Sequence, residues 1–395
     1  MSTTLPVLQS LIAGQWIGQT AARGLHSAIN GRLVAHTHAE AIDFGASLAH
    51  ARHAALPALL GLSFQQRAAL LKALGNHLME RKEQLYAISA HTGGTRADNW
   101  IDIEGGIGTL FAYASMGRRE LPSSNVVHEG PAQALGKEGQ FWGSHVLVPK
   151  RGVAVHINAF NFPMWGMLEK FAPSFLAGMP CIIKPATATS YVAEACVRLI
   201  HASGLLPEGA LQLVIGASGD LLDRLEETDV VTFTGSADTA AMLRVNKNLI
   251  ARSIPFNAEA DSLNCAILAP DVTPDDPEFD LFVREVFREM SAKTGQKCTA
   301  IRRAIVPAQH LDAVAAKLRE RLAKIRAGDP ALEGVKMGAL ASREQQADVA
   351  ARVALLSQGN EIVYGERDGF APVGEGVAEG AFFQPTLLLA KDAQA

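Results

Sequence analysis

The sequence lacks the features that mark several large classes of protein. Its 36 lysines and arginines are balanced by 40 aspartates and glutamates, so the net charge of −4 creates no strong field that favours nucleic acid. Its apolar runs are short, and none reaches the roughly 18 residues that a membrane-spanning helix needs. The first residues include Gln9, Gln15 and Gln19 and lack a basic start followed by an apolar block, so no secretion signal is predicted. We therefore expect neither nucleic-acid nor membrane partners, and no motif indicates a metal site.

Cysteine is also scarce, since the whole chain contains four. Four scattered cysteines suit a reducing compartment better than a disulfide framework, which favours a cytoplasmic protein. Cys181 and Cys265 open apolar stretches and Cys196 falls in a helical pattern, so these three are interpreted as small core residues.

Cys298 has a different setting, a polar loop that runs from Gly295 to Arg303. The adjacent Lys297 and the nearby Arg302 can lower the pKa of a thiol, and the thiolate is the nucleophilic form. An inert loop cysteine is the alternative interpretation. The residues upstream of this loop decide between the two.

Strand and helix patterns alternate from Gly152 to Leu268, although the Gly-x-Gly-x-x-Gly turn of many dinucleotide-binding proteins is missing. Strands are predicted at 153–157, 181–183, 211–215, 230–233 and 265–268, and helices at 163–178, 190–203 and 236–250. This alternation predicts βαβ units and a parallel sheet, which binds ligands at the carboxyl ends of its strands. Outside this region, core helices are predicted at 65–81 and from Leu311 to Ile325.

Five motifs follow one another along the chain in a specific order. They are Asn-Ala-Phe-Asn-Phe-Pro-Met-Trp at 158–165, Ile-Lys-Pro-Ala-Thr at 183–187, Phe-Thr-Gly-Ser at 233–236, Asn-Ala-Glu-Ala-Asp at 257–261, and the loop around Cys298. Together they resemble the aldehyde dehydrogenase superfamily, and the resemblance covers essentially the whole chain. It implies an α/β aldehyde dehydrogenase fold, with a Rossmann-like parallel-sheet cofactor domain and an α/β catalytic domain.

The same resemblance suggests domain boundaries. Residues 1–130 and 151–264 are expected to form an NADP-binding domain and residues 265–395 a catalytic domain, with residues 131–150 as an oligomerisation excursion in a homodimer. Phe382–Leu388 resembles a stretch that precedes a Glu-x-Phe-Gly-Pro-Val motif in the family, and Ala395 comes before that motif would appear. The chain is therefore expected to be truncated at its C-terminal end, with an incomplete catalytic domain.

The resemblance implies roles for four candidate catalytic residues. Cys298 is expected to attack an aldehyde, and the Asn161 amide and the Cys298 backbone N–H to hold the oxyanion. Glu259 is expected to activate the water that hydrolyses the thioester, helped by partial burial that raises its pKa. Lys170 either orients these groups or is an exposed helix lysine. A turn-capping Asn161 and a solvated Glu259 are the structural alternatives.

The stretch that follows Glu259 departs from the family pattern. The family usually has Leu-Gly-Gly-Lys there, whereas this chain has Ala260-Asp261-Ser262-Leu263. A different local backbone near the nicotinamide is therefore expected. The glutamate itself argues against the branch of the family that passes its acyl group to free CoA.

The resemblance also implies an NADP site at the ends of three predicted strands. Lys184 is expected to contact the ribose or its phosphate, and Ser236 to hold the pyrophosphate at a helix start, where an ordinary N-cap is the alternative. NAD-preferring relatives often have a glutamate where this chain has Thr187. Without that carboxylate a 2′-phosphate is not repelled, so Lys184 and Thr187, with Ser190 nearby, favour NADP. The full candidate set is Ile157, Asn158, Phe160, Lys184, Ala186, Thr187, Thr234, Gly235 and Ser236.

Four longer stretches resemble a narrower group within the family: Arg96–Thr109, Ile157–Lys170, Glu259–Asn264 and Gly295–Arg303. Members of this group oxidise CoA-linked semialdehydes with NADP, in aerobic benzoate degradation or as the dehydrogenase half of a phenylacetate ring-cleavage enzyme. The first role is preferred because the hydratase domain of the second is missing. Two other hypotheses are a thioester hydrolase that uses Cys298 and Glu259 without cofactor, and a non-catalytic binding protein that kept the fold.

Overall fold

A seven-stranded sheet lies at the centre of the computed structural model, which describes residues 5–365 and 370–390. The strands are β1 (Ser10–Ile12), β2 (Gln15–Ile17), β3 (Ala21–His26), β4 (Leu33–His38), β5 (Val127–His128), β6 (Gln133–Ala134), β7 (Trp142–Gly143), β8 (Val146–Leu147), β9 (Ala154–Ile157), β10 (Cys181–Lys184), β11 (Leu211–Leu213), β12 (Val230–Thr234), β13 (Phe256–Glu259), β14 (Asn264–Ile267), β15 (Ile301–Ile305), β16 (Glu361–Tyr364) and β17 (Leu387–Leu389). The helices are α1 (Phe44–His50), α2 (Leu56–Leu60), α3 (Phe64–Glu80), α4 (Lys82–Ser89), α5 (Arg96–Glu120), α6 (Trp165–Leu176), α7 (Ser190–Ala202), α8 (Ala237–Arg244), α9 (Lys247–Ala251), α10 (Pro277–Ser291), α11 (Leu311–Ala323) and α12 (Arg343–Leu356). The predicted α/β class is confirmed. The ends of the predicted first and catalytic domains, and residues 366–369, lie outside the described residues.

The strands of the main sheet run in the order β13-β12-β9-β10-β11-β1-β2, and the first five are mutually parallel. Every residue of β9 is buried because helices cover both faces of the sheet, as expected for a parallel sheet. The N-terminal hairpin of β1 and β2 turns through Ala13 and Gly14, both with positive φ, and extends the sheet antiparallel to β11.

The strand order reverses at β9, which places a ligand-binding crevice there. The chain moves from β9 to β10 on one side of the sheet and later returns to β12 on the other side. The register pairs Ile157 with Lys184 and with Phe233, and pairs Thr234 with Glu259. The carboxyl ends of β9, β10, β12 and β13 therefore meet at one edge, where open α/β sheets bind ligands.

Helices α3, α5, α6 and α7 cover one face of this sheet and form the largest core cluster. Helices α5 and α6 approach closely because Gly106 has no side chain: a Cβ there would lie 2.9 Å from Trp165 Cα. This contact fixes the start of α6, which follows Asn161, against the first half of α5.

A second α/β unit follows the main sheet. Strands β14 and β15 pair in parallel, and α10 and α11 pack on them. Its core contains Leu268, Phe279, Val283, Val286, Val314 and Leu318. The loop that carries Cys298 joins α10 to β15 and so lies between this unit and the main sheet.

Two sequence predictions about the elements need correction. The predicted strand at 265–268 belongs to the separate β14–β15 pair, and β13, which was not predicted as a strand, takes the edge position of the main sheet. The predicted helix at 236–250 is interrupted, because the Asn246 side chain accepts hydrogen bonds from Asn248 N (3.0 Å) and Leu249 N (3.1 Å) and starts α9 as a new helix.

Residues 131–150 lie outside the main sheet, in an antiparallel ribbon rather than an irregular loop. β5 pairs with β8, and further out β6 pairs with β7. Within the described chain, no helix has both the length and the apolar character to cross a membrane.

Candidate active site

Cys298 lies in a turn just before β15, and its backbone carbonyl is tightly held. The Ser262 hydroxyl donates a hydrogen bond to this carbonyl, and Asn264 Nδ2 donates a second at 2.7 Å. Asn264 Nδ2 also lies 3.3 Å from the carbonyl oxygen of Ala300. The segment after Glu259 thus fixes the peptide group of Cys298, although Cys298 itself is exposed.

The expected lowering of the Cys298 pKa is wrong. Partial burial of the thiol raises its pKa, and so do the nearby negative charge of Glu259 and a hydrogen bond to that carboxylate. The predicted cation partner is engaged elsewhere, since Lys297 Nζ lies 2.8 Å from both carboxylate oxygens of Glu289.

The two arginines of the loop also face away from the thiol. Arg302 donates to the Gly295 carbonyl at 2.6 Å, and Arg303 donates to the Leu263 carbonyl at 2.6 Å. Arg302 and Arg303 therefore bind backbone carbonyls and Lys297 binds a carboxylate, and no hydrogen bond or ion pair from these three residues to the Cys298 thiol is seen among the described residues.

Glu259 ends β13 and is exposed, so the partial burial expected for it is not observed. Its Oε2 atom lies 3.5 Å from the Thr234 hydroxyl at the end of the neighbouring strand. Parallel pairing of β12 and β13 thus brings Glu259 to the switch-point edge, while the turn of Cys298 approaches it from the second unit.

Asn161 belongs to the same group of residues. It is half-buried between β9 and α6, and its Nδ2 donates to the Gln296 carbonyl at 2.9 Å. An amide has two N–H groups, so this bond leaves the other one for a ligand. Asn161, Glu259 and Cys298 come from three separate chain segments and meet at one place.

Lys170 contacts neither Cys298 nor Glu259 in the described structure. Its side chain is 12% exposed, and its ammonium lies 2.8 Å from Glu169 Oε1 and 3.3 Å from the Gly166 carbonyl on its own helix. Lys170 is therefore neither an exposed helix lysine nor in contact with the nucleophile.

Asn158 is the clearest mark of a ligand site at the strand ends. The residue is 4% exposed, and neither its Nδ2 nor its Oδ1 finds a hydrogen-bond partner among the described residues. Buried amide groups without partners are rare, so a polar ligand fits here. Its neighbour Ile157 is buried at the end of β9, and the Phe160 carbonyl accepts a hydrogen bond from Thr189 at 3.1 Å.

The end of β10 carries the second group of predicted cofactor residues. Lys184 is half-buried, and burial lowers its pKa. Ala186 precedes a single 3₁₀ turn that begins at Thr187. Ser190 is fully buried and donates its hydroxyl to the Thr187 carbonyl at 2.9 Å, so this hydroxyl is engaged within the chain.

The end of β12 carries the third group. Gly235 N donates to the Glu259 carbonyl at 3.2 Å, and Ser236 caps α8 by accepting from Thr239 N at 3.2 Å. The first free N–H of α8, that of Ala237, is taken by the carboxylate of Asp261 at 3.0 Å. A pyrophosphate at this helix end must compete with Asp261.

Sequence reasoning missed the roles of Ser262 and Asn264. The available signal for Ser262 is a polar side chain where the family pattern has glycine, whereas Asn264 lies one residue beyond the Leu-Gly-Gly-Lys stretch and carries no such signal. Their target could not be found from sequence because the carbonyl that they hold lies on a segment distant in the chain.

A cysteine, a carboxylate and an amide meet at the switch point of a parallel sheet, which is the edge where such sheets bind ligands, and this combination is typical of enzymes with a nucleophilic cysteine. The profile of the aldehyde dehydrogenase family matches residues 22–395, and the chain belongs to this family. The predicted fold is thereby confirmed, and aldehyde oxidation is the activity that the match supports.

The chain is similar to one enzyme of named substrate and to several solved structures of the family. The 3,4-dehydroadipyl-CoA semialdehyde dehydrogenase of Aromatoleum evansii is 44% identical over 383 residues, which cover 96% of this chain and 74% of that protein. An aldehyde dehydrogenase of Mycobacterium tuberculosis complexed with NAD⁺ has a TM-score of 0.83 at 23% identity, covering 99% of this chain and 78% of that one. An NADP-dependent enzyme of E. coli has a TM-score of 0.79 at 24% identity, covering 97% and 76%. The two solved structures show the fold.

Proposed function

We propose that this protein oxidises a CoA-linked semialdehyde, with 3,4-dehydroadipyl-CoA semialdehyde as the first candidate, to the acid with NADP in aerobic benzoate degradation. The observation that carries the proposal is the convergence of Cys298, Glu259 and Asn161 at the switch-point edge. The substrate class is supported by the 44% identity to the enzyme from Aromatoleum evansii.

Cys298 supplies the nucleophile. Its thiol is largely protonated at neutral pH because its pKa is raised, and its hydrogen bond leads to the Glu259 carboxylate. Glu259 is therefore the group that accepts the proton when the sulfur attacks the aldehyde carbon. The product of this step is a thiohemiacetal attached to Cys298.

The oxyanion of that intermediate needs hydrogen-bond donors. Asn161 has one side-chain N–H that is not bonded to the Gln296 carbonyl and can serve as the first donor. The second donor is the backbone N–H of Cys298 itself. Removing one such donor from comparable sites costs about 3–4 kcal/mol of transition-state stabilisation. The clamp of Ser262 and Asn264 on the Cys298 carbonyl fixes the orientation of that turn.

Glu259 also serves as the base for hydrolysis. Glu259, which is exposed, first releases to solvent the proton that it took from Cys298. Once Cys298 carries a thioester, Glu259 takes a proton from water, the water attacks the acyl carbon, and the thiolate leaves. Exposure of Glu259 gives water direct access to it. Lys170 is retained as a positioning candidate, since its ion pair with Glu169 lies on the helix that follows Asn161.

Ile157, Asn158, Phe160, Lys184, Ala186, Thr187, Thr234, Gly235 and Ser236 are the residues that would hold the dinucleotide. The orphaned buried amide of Asn158 fits such a ligand. When bound, the nicotinamide accepts the hydride that leaves the substrate carbon. NADP is preferred because Lys184 offers a cation, and Thr187 adds no negative charge that would repel a 2′-phosphate.

The remaining proposals concern the whole protein. Residues 1–130 and 151–264 would form the cofactor domain, residues 265–395 the catalytic domain, and the ribbon at 131–150 the contact of a homodimer. Four free cysteines are typical of a reducing compartment such as the cytoplasm.

The test is formation of NADPH, followed by absorbance, with CoA-linked and free aliphatic semialdehydes and with NADP and NAD in parallel. We expect reduction of NADP with the CoA-linked substrate and none in Cys298→Ala, which should still bind NADP. Turnover by Cys298→Ala at the parent rate would exclude the mechanism. Oxidation of free aldehydes with NAD would exclude both the substrate and the cofactor preference.

The same assay distinguishes the proposed dehydrogenase from a thioester hydrolase that needs no cofactor. Glu259→Gln should form at most one equivalent of NADPH per site, more slowly than the parent because the thiol has lost its base, and then stall as the thioester. Release of CoA from an acyl-CoA by the parent without any cofactor, and no NADPH formation, would favour a thioester hydrolase instead.

A further inference from the structure

The first two turns of α5 touch both segments that meet at the candidate site. Asp98 Oδ1 accepts the backbone N–H of Lys293 at 2.7 Å, and Lys293 precedes the turn of Cys298. One helical turn further on, Asp102 Oδ1 accepts the N–H groups of Met164 (3.0 Å) and Trp165 (2.8 Å), just after Asn161. The two carboxylates are 5% and 0% exposed.

Asp102 provides the cap that α6 lacks in its own sequence. The residue before α6, Met164, makes no side-chain capping bond, and Pro163 precedes it. A carboxylate from α5 therefore satisfies the first N–H groups of α6 and complements the positive end of its dipole. The direction in which the chain leaves Asn161 is fixed by a side chain of another helix.

Lys293 places a second charge in the same space. It has φ of 52°, and Thr294 has φ of 54°, conformations that non-glycine residues seldom adopt without compensation. Its side chain is buried, its Nζ has no hydrogen-bond partner within the described part of the chain, and it lies 5.7 Å from the centre of the Phe162 ring.

The ammonium group of Lys293 has room only because the neighbouring residue Gly94 lacks a side chain. A Cβ at Gly94 would lie 3.0 Å from Lys293 Nζ, and Asp102 keeps its Oδ2 atom without a hydrogen bond among the described residues. A buried ion is costly unless an opposite charge compensates it. Lys293 favours the charged form of the Asp102 carboxyl group, and moving either segment would weaken this attraction and the contact of Lys293 with the Phe162 ring.

We propose that Asp98, Asp102 and Lys293 are positioning residues that set the distance between the loop of Cys298 and the segment of Asn161. The three residues are buried next to the candidate site. A second connection between the two segments is the hydrogen bond from the Asn161 side chain to the Gln296 carbonyl. The inference rests on the proposed function, because it concerns where the oxyanion donor Asn161 stands relative to the nucleophile. It gives a role to the stretch Arg96–Thr109, which has no other function in the site.

The test uses Lys293→Met and Asp102→Asn, with Arg96→Met as the matched control on α5. Asp102→Asn keeps an oxygen acceptor for Met164 N and Trp165 N, removes the charge, and replaces the other carboxylate oxygen by an NH2 group. Arg96 lies on the same helix as Asp98 and Asp102, and Arg96→Met breaks its exposed ion pair with Glu83 of α4 (2.8 Å). For the two unit variants we expect kcat to fall between about 10- and 100-fold, less than the roughly 100- to 1,000-fold cost of removing an oxyanion donor outright, with KM changed by less than about threefold.

A combination with Asn161→Ala distinguishes positioning from general structural damage. If the unit acts through Asn161, Lys293→Met and Asp102→Asn add little further loss in the Asn161→Ala background. Additive losses in both combinations would overturn the inference. Lys293→Arg, which keeps the positive charge, should recover part of kcat, and if Lys293→Met does not fold, Asp102→Asn carries the same comparison.

Failure of the inference and failure of the proposed function give different results. No aldehyde oxidation by the parent protein removes the proposed function. An active parent, with Lys293→Met and Asp102→Asn within twofold of its kcat, removes the inference alone. Iodoacetamide labelling of Cys298 needs no substrate or cofactor, and we expect its rate to change in the two variants and to stay as in the parent in Arg96→Met.

Discussion

At the scale of single residues, the raised pKa of Cys298 is the property that most limits its chemistry. The expected cations point elsewhere, and the thiol faces the negative charge of Glu259. In the proposed mechanism the resting nucleophile is therefore a protonated thiol with its base already in contact. Because the thiolate is the reactive form, we expect slow alkylation of Cys298 at neutral pH.

The pH dependence of alkylation tests this pairing. Glu259→Gln removes the negative charge that raises the Cys298 pKa, so the midpoint of the iodoacetamide rate against pH should move to lower pH. The rate is measured by mass spectrometry of the peptide that contains Cys298, with exposed Cys265 in the same digest as the reference thiol. A midpoint that stays in place or moves upward would show that Glu259 does not control the thiol.

Residue identities at the site were predictable, and their partners were not. Cys298, Glu259 and Asn161 stand in recognisable motifs, so sequence alone brought them together. Cys265 was expected in the core, yet it is exposed on β14, because its apolar neighbours alternate with solvent-facing positions on a two-stranded edge. The direction of a long side chain such as Lys297 depends on its ion pair with Glu289, eight residues earlier on α10, which the sequence pattern did not indicate.

At the scale of elements, Arg67 of α3 is the strongest single connection between helices. It is fully buried and donates to the carbonyls of Leu59 (2.8 Å) and Leu176 (2.8 Å), near the ends of α2 and α6, and to Asn125 (2.8 Å). Burial lowers the pKa of the guanidinium to about 10, which is still well above neutral pH, so Arg67 stays a cation. One side chain satisfies carbonyls that the helices themselves leave open.

Replacing Arg67 should destabilise the whole protein. Arg67→Met leaves several buried carbonyls without donors, and we expect a loss of about 3–5 kcal/mol in the free energy of unfolding. Urea unfolding followed by circular dichroism measures it, with Lys72→Met on the exposed face of α3 as control. A loss below about 1 kcal/mol would mean that water replaces the guanidinium at little cost.

Asp102 on helix α5 should also make the stability of the fold depend on pH. Burial raises the pKa of Asp102 to about 6, although Lys293 and the Met164 and Trp165 N–H groups act in the opposite direction. Cys196 of α7 faces the same carboxyl group. Because the folded-state pKa is raised above the unfolded value, the protonated carboxyl contributes stability at low pH that is lost as the pH rises through about 6.

Asp102→Asn should abolish this contribution. Relative to the parent, the variant should gain up to about 3 kcal/mol of unfolding free energy between about pH 4 and pH 7. Urea unfolding at a series of pH values measures the difference. A constant difference across this window would mean that Asp102 has the same pKa in the folded and unfolded chain. Gained stability with reduced kcat is the combination that separates positioning from support of the fold.

Element types were largely predictable from sequence, while edges and interruptions were not. The helix predicted at 65–81 forms over Phe64–Glu80 with a Ser63–Gln66 capping box, because local capping and apolar spacing agree. Strand β13 escaped prediction because Phe-Asn-Ala-Glu offers no β-branched residue, and only its pairing with β12 makes it a strand.

At the scale of the whole molecule, the sheet topology brings distant motifs together. Four strand ends meet because parallel pairing is in register, and the Cys298 loop arrives from a second unit with its own core. The alternation of strands and helices predicted a parallel sheet, but it could not give the strand order, which depends on long-range pairing. The assignment of the β14 strand failed for that reason.

The ribbon of β5 to β8 exposes several large apolar side chains to solvent, which is unfavourable for an isolated chain. Phe141, Trp142 and Leu147 are 67%, 59% and 53% exposed, on a two-stranded ribbon that extends from the main sheet. Such ribbons are marginal in water by themselves, and clustered exposed apolar side chains are typical of protein interfaces. The proposed homodimer would cover them.

Substitution on the ribbon tests the assembly. The double variant Phe141→Ser with Leu147→Ser removes apolar area from the ribbon only, so we expect the mass in solution to fall from that of a dimer to that of the 42.0 kDa chain. Size-exclusion chromatography with light scattering measures the mass, and Leu355→Ser, on an equally exposed position of α12, should leave it unchanged. A dimer that persists in the ribbon variant would move the interface elsewhere. A parent that is monomeric at micromolar concentration would remove the homodimer, and the ribbon residues would then need another partner to account for their exposure.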